Sequence, residues 1–157
     1  MTTHHERDIA HLIEVAEELG LHVVERRGHH RGGYHDGLRQ IRLNPGMSAR
    51  ATRSFLAHEI AHALFRDTPS PYGPVKAKQE RRAWEWAAIY LISPEAFAEA
   101  EEQRGGHTPA MAYDLGVTVE LVEAFRRVLA RIGDNVYVKP RMGVGQWDHR
   151  VDIAETA

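Results

Sequence analysis

Residues 53–65 read RSFLAHEIAHALF, and this stretch decides how the rest of the chain is read. Leu56, Ile60, Ala63 and Leu64 recur at helical spacing and give the segment an apolar face. Ser48 precedes it as a natural N-cap, so a helix from 48 to about 65 is expected. His58 and His62 are four residues apart. On a helix they lie on one face, one turn apart, with imidazoles that converge on a single ion. Glu59 sits about 100° further round, where a longer side chain reaches a water on that ion without ligating it. This is the mechanical content of H-E-x-x-H. Chance supplies the pattern in roughly one of ten to fifteen chains of this composition, so the surrounding sequence has to add weight.

Upstream, Ile9, Leu12, Ile13, Ala16 and Leu19 mark a helix over about 6–19, closed by Gly20. Residues 21–26 read as a short strand around Val23 and Val24, and residues 39–43 (RQIRL) alternate as a half-buried strand does. These two strands are expected to pair in an antiparallel sheet. The intervening RGHHRGGYHDG (27–37) has turn character. Asn44-Pro45-Gly46 then breaks the chain before the motif helix. Downstream, residues 67–75 hold three prolines and read as a loop. Helices are expected over about 77–92, then from Pro94 with Ser93 as N-cap to Gly105, then over 108–115 and about 118–132. The remainder has a strand-like VYVK (136–139), a turn (PRMGVG) and a second strand-like piece (QWDHRV).

Composition narrows the chemistry. There is no Cys among the 157 residues, so thiolate ligands and disulfides are excluded and any ion must be held by His, Asp or Glu. A formal charge of −2 gives no global drive toward nucleic acid or anionic lipid. No stretch is apolar enough to span a membrane, and the polar start does not read as a secretory signal, so a cytoplasmic protein is expected.

A catalytic zinc takes three protein ligands and keeps a position for water. Glu80 is the best third candidate. It begins Glu80-Arg81-Arg82-Ala83 on the next strong helix, and Ala83 permits close approach to the motif helix. Glu85 competes, with Asp67 and His107 behind it. These landmarks, QIRLNPGMS (40–48), the motif helix and ERRAWEWAAIYLISPEAF (80–97), together resemble the ImmA/IrrE-type zinc metallo-endopeptidases, a gluzincin-like family. The resemblance implies His58, His62 and Glu80 as Zn2+ ligands and Glu59 as the catalytic base. It also implies a protein substrate, a helix-turn-helix transcriptional repressor of a phage or mobile element. One position departs from the family: where Asp or Asn often braces the first His, this chain has Trp84. Candidate oxyanion donors are Tyr72, Tyr90, His35, His107 and His149, and the RQIRL strand offers an edge for an extended peptide.

His29, His30 and His35 read as part of a solvated Gly-rich loop, with a second metal site or a groove lining as the alternative. TPAMAYDLGVTVELVEAFRRVLAR (108–131) reads as a helix-turn-helix-like segment. Residues 124–150 carry six Lys or Arg against two Asp, which would suit DNA. Glu120 and Glu123 near the start of the second helix argue instead for packing on the core or on a protein partner. The expected fold is α+β, mostly helical, with a small antiparallel sheet beside the H-E-x-x-H helix. Residues 1–106 form the metallopeptidase core; residues 107–157 form the helix-turn-helix-like segment with a C-terminal hairpin and tail. The rival from another class is a regulatory DNA- or protein-binding module, including a toxin–antitoxin component, with a structural or vestigial zinc site.

Overall fold

The computed structural model describes residues 4–137. The order is α1 (His4–Glu18), β1 (His22–Glu25), β2 (Gly32–His35), β3 (Gln40–Leu43), α2 (Ala49–Leu64), α3 (Gly73–Leu91), α4 (Pro94–Arg104), α5 (Thr108–Leu115) and α6 (Val119–Tyr137). The class is the expected one, α+β and mostly helical. The turn PRMGVG, the piece QWDHRV and His149 lie outside the described residues. Val136 and Tyr137, expected to begin a strand, instead end α6.

The sheet departs from expectation in its pairing. Its order is β1-β3-β2, with β1 parallel and β2 antiparallel to β3. The reason is the strand hidden in the segment read as a turn. Residues 32–35 run back along β3, so the chain reverses twice between β1 and β3, and two reversals leave those strands parallel. β3 is therefore central, with Val23 on one side of Ile41 and Tyr34 on the other. Its alternation is as read: Ile41 and Leu43 are buried against the core, and Gln40 and Arg42 face away from it.

α2 runs beneath this sheet. The Ser48 side chain accepts the Ala51 N–H at 3.1 Å and starts it. From Leu56 to Ala63 every residue is buried, because α2 is covered by β2 and β3, by α1 and by α3. Alanines make the last contact possible: Ala57, Ala61 and Ala63 on α2 and Ala83, Ala87 and Ala88 on α3 are all within the core, so the backbones approach closely. α3 begins four residues before its expected start because Pro74 sits in its first turn, where a missing N–H is harmless.

α2 also anchors the C-terminal helices. Arg53 is buried and donates to the carbonyls of Leu91 (3.3 Å), Leu115 (3.2 Å) and Gly116 (2.8 Å), and pairs with Asp8 at 3.1 Å. It thereby ties α1, the end of α3 and the α5–α6 corner to one side chain. The corner itself turns at Gly116, whose φ of 67° closes α5 in the left-handed region. Leu121, Val122, Ala124 and Phe125 of α6 join the same buried cluster as Leu56 and Ile60, and α6 packs along α3. No helix among the described residues is long and apolar enough to cross a membrane.

Candidate metal centre

One turn separates His58 from His62, and their ring nitrogens meet. The two Nε2 atoms are 3.0 Å apart, and both rings are buried. Glu80 comes in from α3 and straddles them, Oε2 3.2 Å from His58 Nε2 and Oε1 3.3 Å from His62 Nε2. These three residues form a group able to hold a metal ion. The spacing fits the chemistry. Ligand atoms about 2.0–2.1 Å from one tetrahedral ion stand roughly 3.3 Å from each other. Glu80 stays half-exposed, which keeps one side of the group open to the cavity.

Electrostatics show three acidic groups and two imidazoles competing for few protons. Hydrogen bonds from His58 and His62 hold the Glu80 carboxyl well below the usual range. Burial pushes the His58 imidazole down. Burial also works against charge on His62, but Glu80, Asp67 and the Glu59 charge outweigh it and raise His62 to about 9. Glu59, beside them and buried under β2, is pushed up to about 7, chiefly by desolvation. A Cβ at Gly32 would come within 3.1 Å of Glu59 Oε1, so the bare backbone of β2 is what leaves room for that carboxylate.

The two histidines are supported differently. His62 Nδ1 meets Asp67 Oδ2 at 2.9 Å. Asp67 is only five residues further on, and the end of α2 explains how it gets there. Arg66 takes φ of 53°, Arg66 N–H donates to Ala63 O and Asp67 N–H donates to His62 O. This is a Schellman turn with Arg where Gly is usual, and it folds Asp67 back over His62. Arg82 of α3 donates to the other Asp67 oxygen at 2.6 Å, with its guanidinium 4.0 Å from the Phe65 ring centroid. His58 has no such partner. Among the described residues its Nδ1 is buried without a hydrogen bond, and its ring lies against Trp84 at 3.9 Å between centroids. Phe55 packs edge-on to Trp84. The departure at position 84 is thus realised as aromatic packing.

The centre opens into a cavity of about 750 Å³ whose walls include residues 29–34, Phe55, residues 67–70, Lys76, Gln79, Trp84 and Glu120. The other sequence candidates lie elsewhere. Glu85 is held by Arg127 and Arg131. Asp67 serves as a brace on His62, and His107 caps α5 by accepting the Ala110 N–H. None of the proposed oxyanion donors that the structure describes lines the cavity: Tyr72 is exposed at the start of α3, Tyr90 stacks on Trp86, and His35 accepts the Leu38 N–H. His29 and His30 do line it, so the segment read as a solvated loop is a wall of the site. The edge expected at RQIRL is also displaced: β3 is central, and the free edge beside the centre belongs to β2. Gly32 and Arg82 were not legible in the sequence, and Asp67, ranked behind Glu80 and Glu85 as a third ligand, instead pairs with His62 and Arg82. The available signal was an acid five residues past the second His.

A family model described as the IrrE N-terminal-like domain, a peptidase family, matches residues 16–125. No curated protein and no solved structure matches the chain.

Proposed function

The chain belongs to the IrrE N-terminal-like peptidase family, and on that premise we propose that it is a zinc-dependent endopeptidase, with His58, His62 and Glu80 as ligands and Glu59 as general base. One observation carries the reading: three groups of ligand type, two imidazoles and a carboxylate, converge within 3.3 Å beside a buried fourth, the Glu59 carboxyl. When bound, the ion acidifies water and polarises the scissile carbonyl. Glu59 takes the proton of the attacking water and delivers it to the leaving amine.

β2 is the natural docking edge. Asn44 N–H donates to Arg31 O, and hydrogen-bonded pairs alternate along an antiparallel ladder, so the peptide groups of Gly32 and Tyr34 face away from β3. An extended substrate pairs with those groups and crosses Glu59 as it does so. The substrate we favour is a helix-turn-helix repressor of a phage, mobile element or stress circuit, a choice that rests on family resemblance, and the site of action is the cytoplasm. Helices α5 and α6 serve this core, α6 by packing on α3 and the α5–α6 corner through its bonds to Arg53 and Ser54 of α2, rather than as a DNA reader, with Glu120 at the cavity.

Zinc stoichiometry is the first test. We expect one ion in the wild type and in Glu59→Gln, and loss in His58→Ala and Glu80→Ala. Unchanged metal content in Glu80→Ala removes the third ligand from the scheme. Cleavage of a repressor encoded beside this gene should be stopped by chelator and by Glu59→Gln. Specific, salt-dependent duplex binding with no cleavage would favour the regulator instead.

A further inference from the structure

Residues 26–31 are wrapped round one guanidinium. Arg42 NH1 donates to Arg26 O at 2.7 Å and to Asn44 Oδ1 at 2.6 Å, and NH2 donates to His30 O at 2.7 Å. Asn44 Oδ1 also accepts the Gly28 N–H at 2.9 Å, and the Asn44 N–H donates to Arg31 O at 2.9 Å. A Cβ at position 28 would stand 2.6 Å from Arg42 Cζ, so a side chain there would have to displace the guanidinium. A segment tied at this many points has little freedom left to lose when a ligand arrives, so what it presents is pre-organised.

What it presents to the cavity is Arg31. Among the described residues the Arg31 guanidinium makes no ion pair; it lies 5.5 Å from the Phe55 ring centroid. Weakly hydrated and set on an aromatic face, it is suited to a carboxylate. Of the carboxylates in the lining, Glu59 and Glu80 belong to the centre and Asp67 is held by His62 and Arg82, which leaves Glu120 against Arg31 and Lys76. Arg31 also directly precedes Gly32 on the free edge. A strand paired to that edge carries a side chain about 5 Å from the one opposite it.

We propose that Arg31, held by the Arg42–Asn44 clasp, is a specificity subsite for an acidic side chain of an extended peptide lying along β2. The inference rests on the peptidase reading above. The test uses the zinc-loaded full chain and short alanine-based peptide hydroxamates, in which one Glu is walked through each position and matched with Gln. Binding is measured by calorimetry, so turnover is not needed. At one position Glu should bind about fivefold to tenfold more tightly than Gln at low salt. That margin should fall below about twofold in Arg31→Met and shrink in Arg42→Met, while the all-alanine hydroxamate binds wild type and Arg31→Met alike. No position preferring Glu, or a preference that survives Arg31→Met, overturns the subsite and leaves the metal centre standing. Failure of every hydroxamate to bind the zinc-loaded chain sinks the peptidase reading, and this inference with it.

Discussion

Glu59→Gln should stabilise the zinc-free protein, and increasingly so as pH rises. Burial holds the Glu59 carboxyl at about 7 against an ordinary 4.5. At about 1.4 kcal/mol per pH unit, ionising it inside the fold costs about 3 kcal/mol more than in the unfolded chain. The sign follows from which state gives up the proton first. Below pH 4.5 both states keep it, and the wild type carries no penalty. Between 4.5 and 7 the unfolded chain releases it and the fold does not, so wild-type stability is lost with rising pH. Above 7 the penalty is constant. The stabilisation from His62, raised to about 9 from an ordinary 6.5, is full below 6.5 and is lost between 6.5 and 9, so the lower window belongs to Glu59. Gln has no charge to bury, although its amide adds a pH-independent cost of about 1 kcal/mol. The expected result is a Gln-minus-Glu stability difference that grows by about 2–3 kcal/mol between pH 4.5 and 7.5. Urea unfolding in chelator, at four pH values, reads this as a midpoint shift of about 1–2 M. Loading with zinc should shrink the growth, because a divalent cation beside the carboxylate removes its reason to stay protonated. A difference that stays flat across the window, or a Gln variant that becomes the less stable at high pH, would refute the buried-charge argument.

Three further outcomes are expected. Asp67→Ala should weaken zinc binding about 10–100-fold in chelator competition, since it removes the bond that orients His62; unchanged affinity would show that the Schellman turn has no part in holding metal. Gly32→Ala should keep full zinc content and lose at least about tenfold in kcat/KM, because its methyl group crowds Glu59 and displaces it from productive geometry. Wild-type turnover in that variant would mean the carboxylate has more room than its 3.1 Å neighbour implies. Arg53→Met should lower stability by about 3 kcal/mol through carbonyls left without a donor, while zinc stoichiometry in the folded protein stays the same; a neutral variant would deny that Arg53 pins the α5–α6 corner.

What was legible in the sequence is what periodicity and covalent spacing control. His58 and His62 share a face because a helix repeats every 3.6 residues. That helix is announced by Ser48, Leu56 and Ile60, whatever surrounds it. Ser93-Pro94 and Gly116 likewise mark boundaries by backbone chemistry that is local. Glu80 was readable only because Ala83 hints at close helix packing and because the longer segment resembles a family. The sheet was not readable in the same way. Gly32-Gly33-Tyr34-His35 has no apolar alternation and poor strand propensity, and it is a strand because β3 offers it a ladder and α2 lies beneath it. Missing that strand made β1 and β3, which do pair, look antiparallel, and it left β3 with a free edge that β2 in fact covers.

The same distinction separates the three candidate ligands from what supports them. A ligand set is a matter of residue type and spacing, but a brace is a matter of where the backbone goes next. Asp67 reaches His62 only because Arg66 accepts a left-handed conformation, and nothing in the letters of that turn requires it. Trp84 works in the opposite sense. Read from the sequence, it subtracts a polar brace from His58; in the fold it becomes part of a Phe55–Trp84–His58 aromatic cluster that holds the ring by contact. The two histidines are therefore held by different physics, one by a charge relay through Asp67 and Arg82, the other by apolar packing. Removing the relay should act mainly on metal affinity. Removing the aromatic cluster should act first on the rigidity of α2 against α3. That gives the centre two independent points at which it can be loosened.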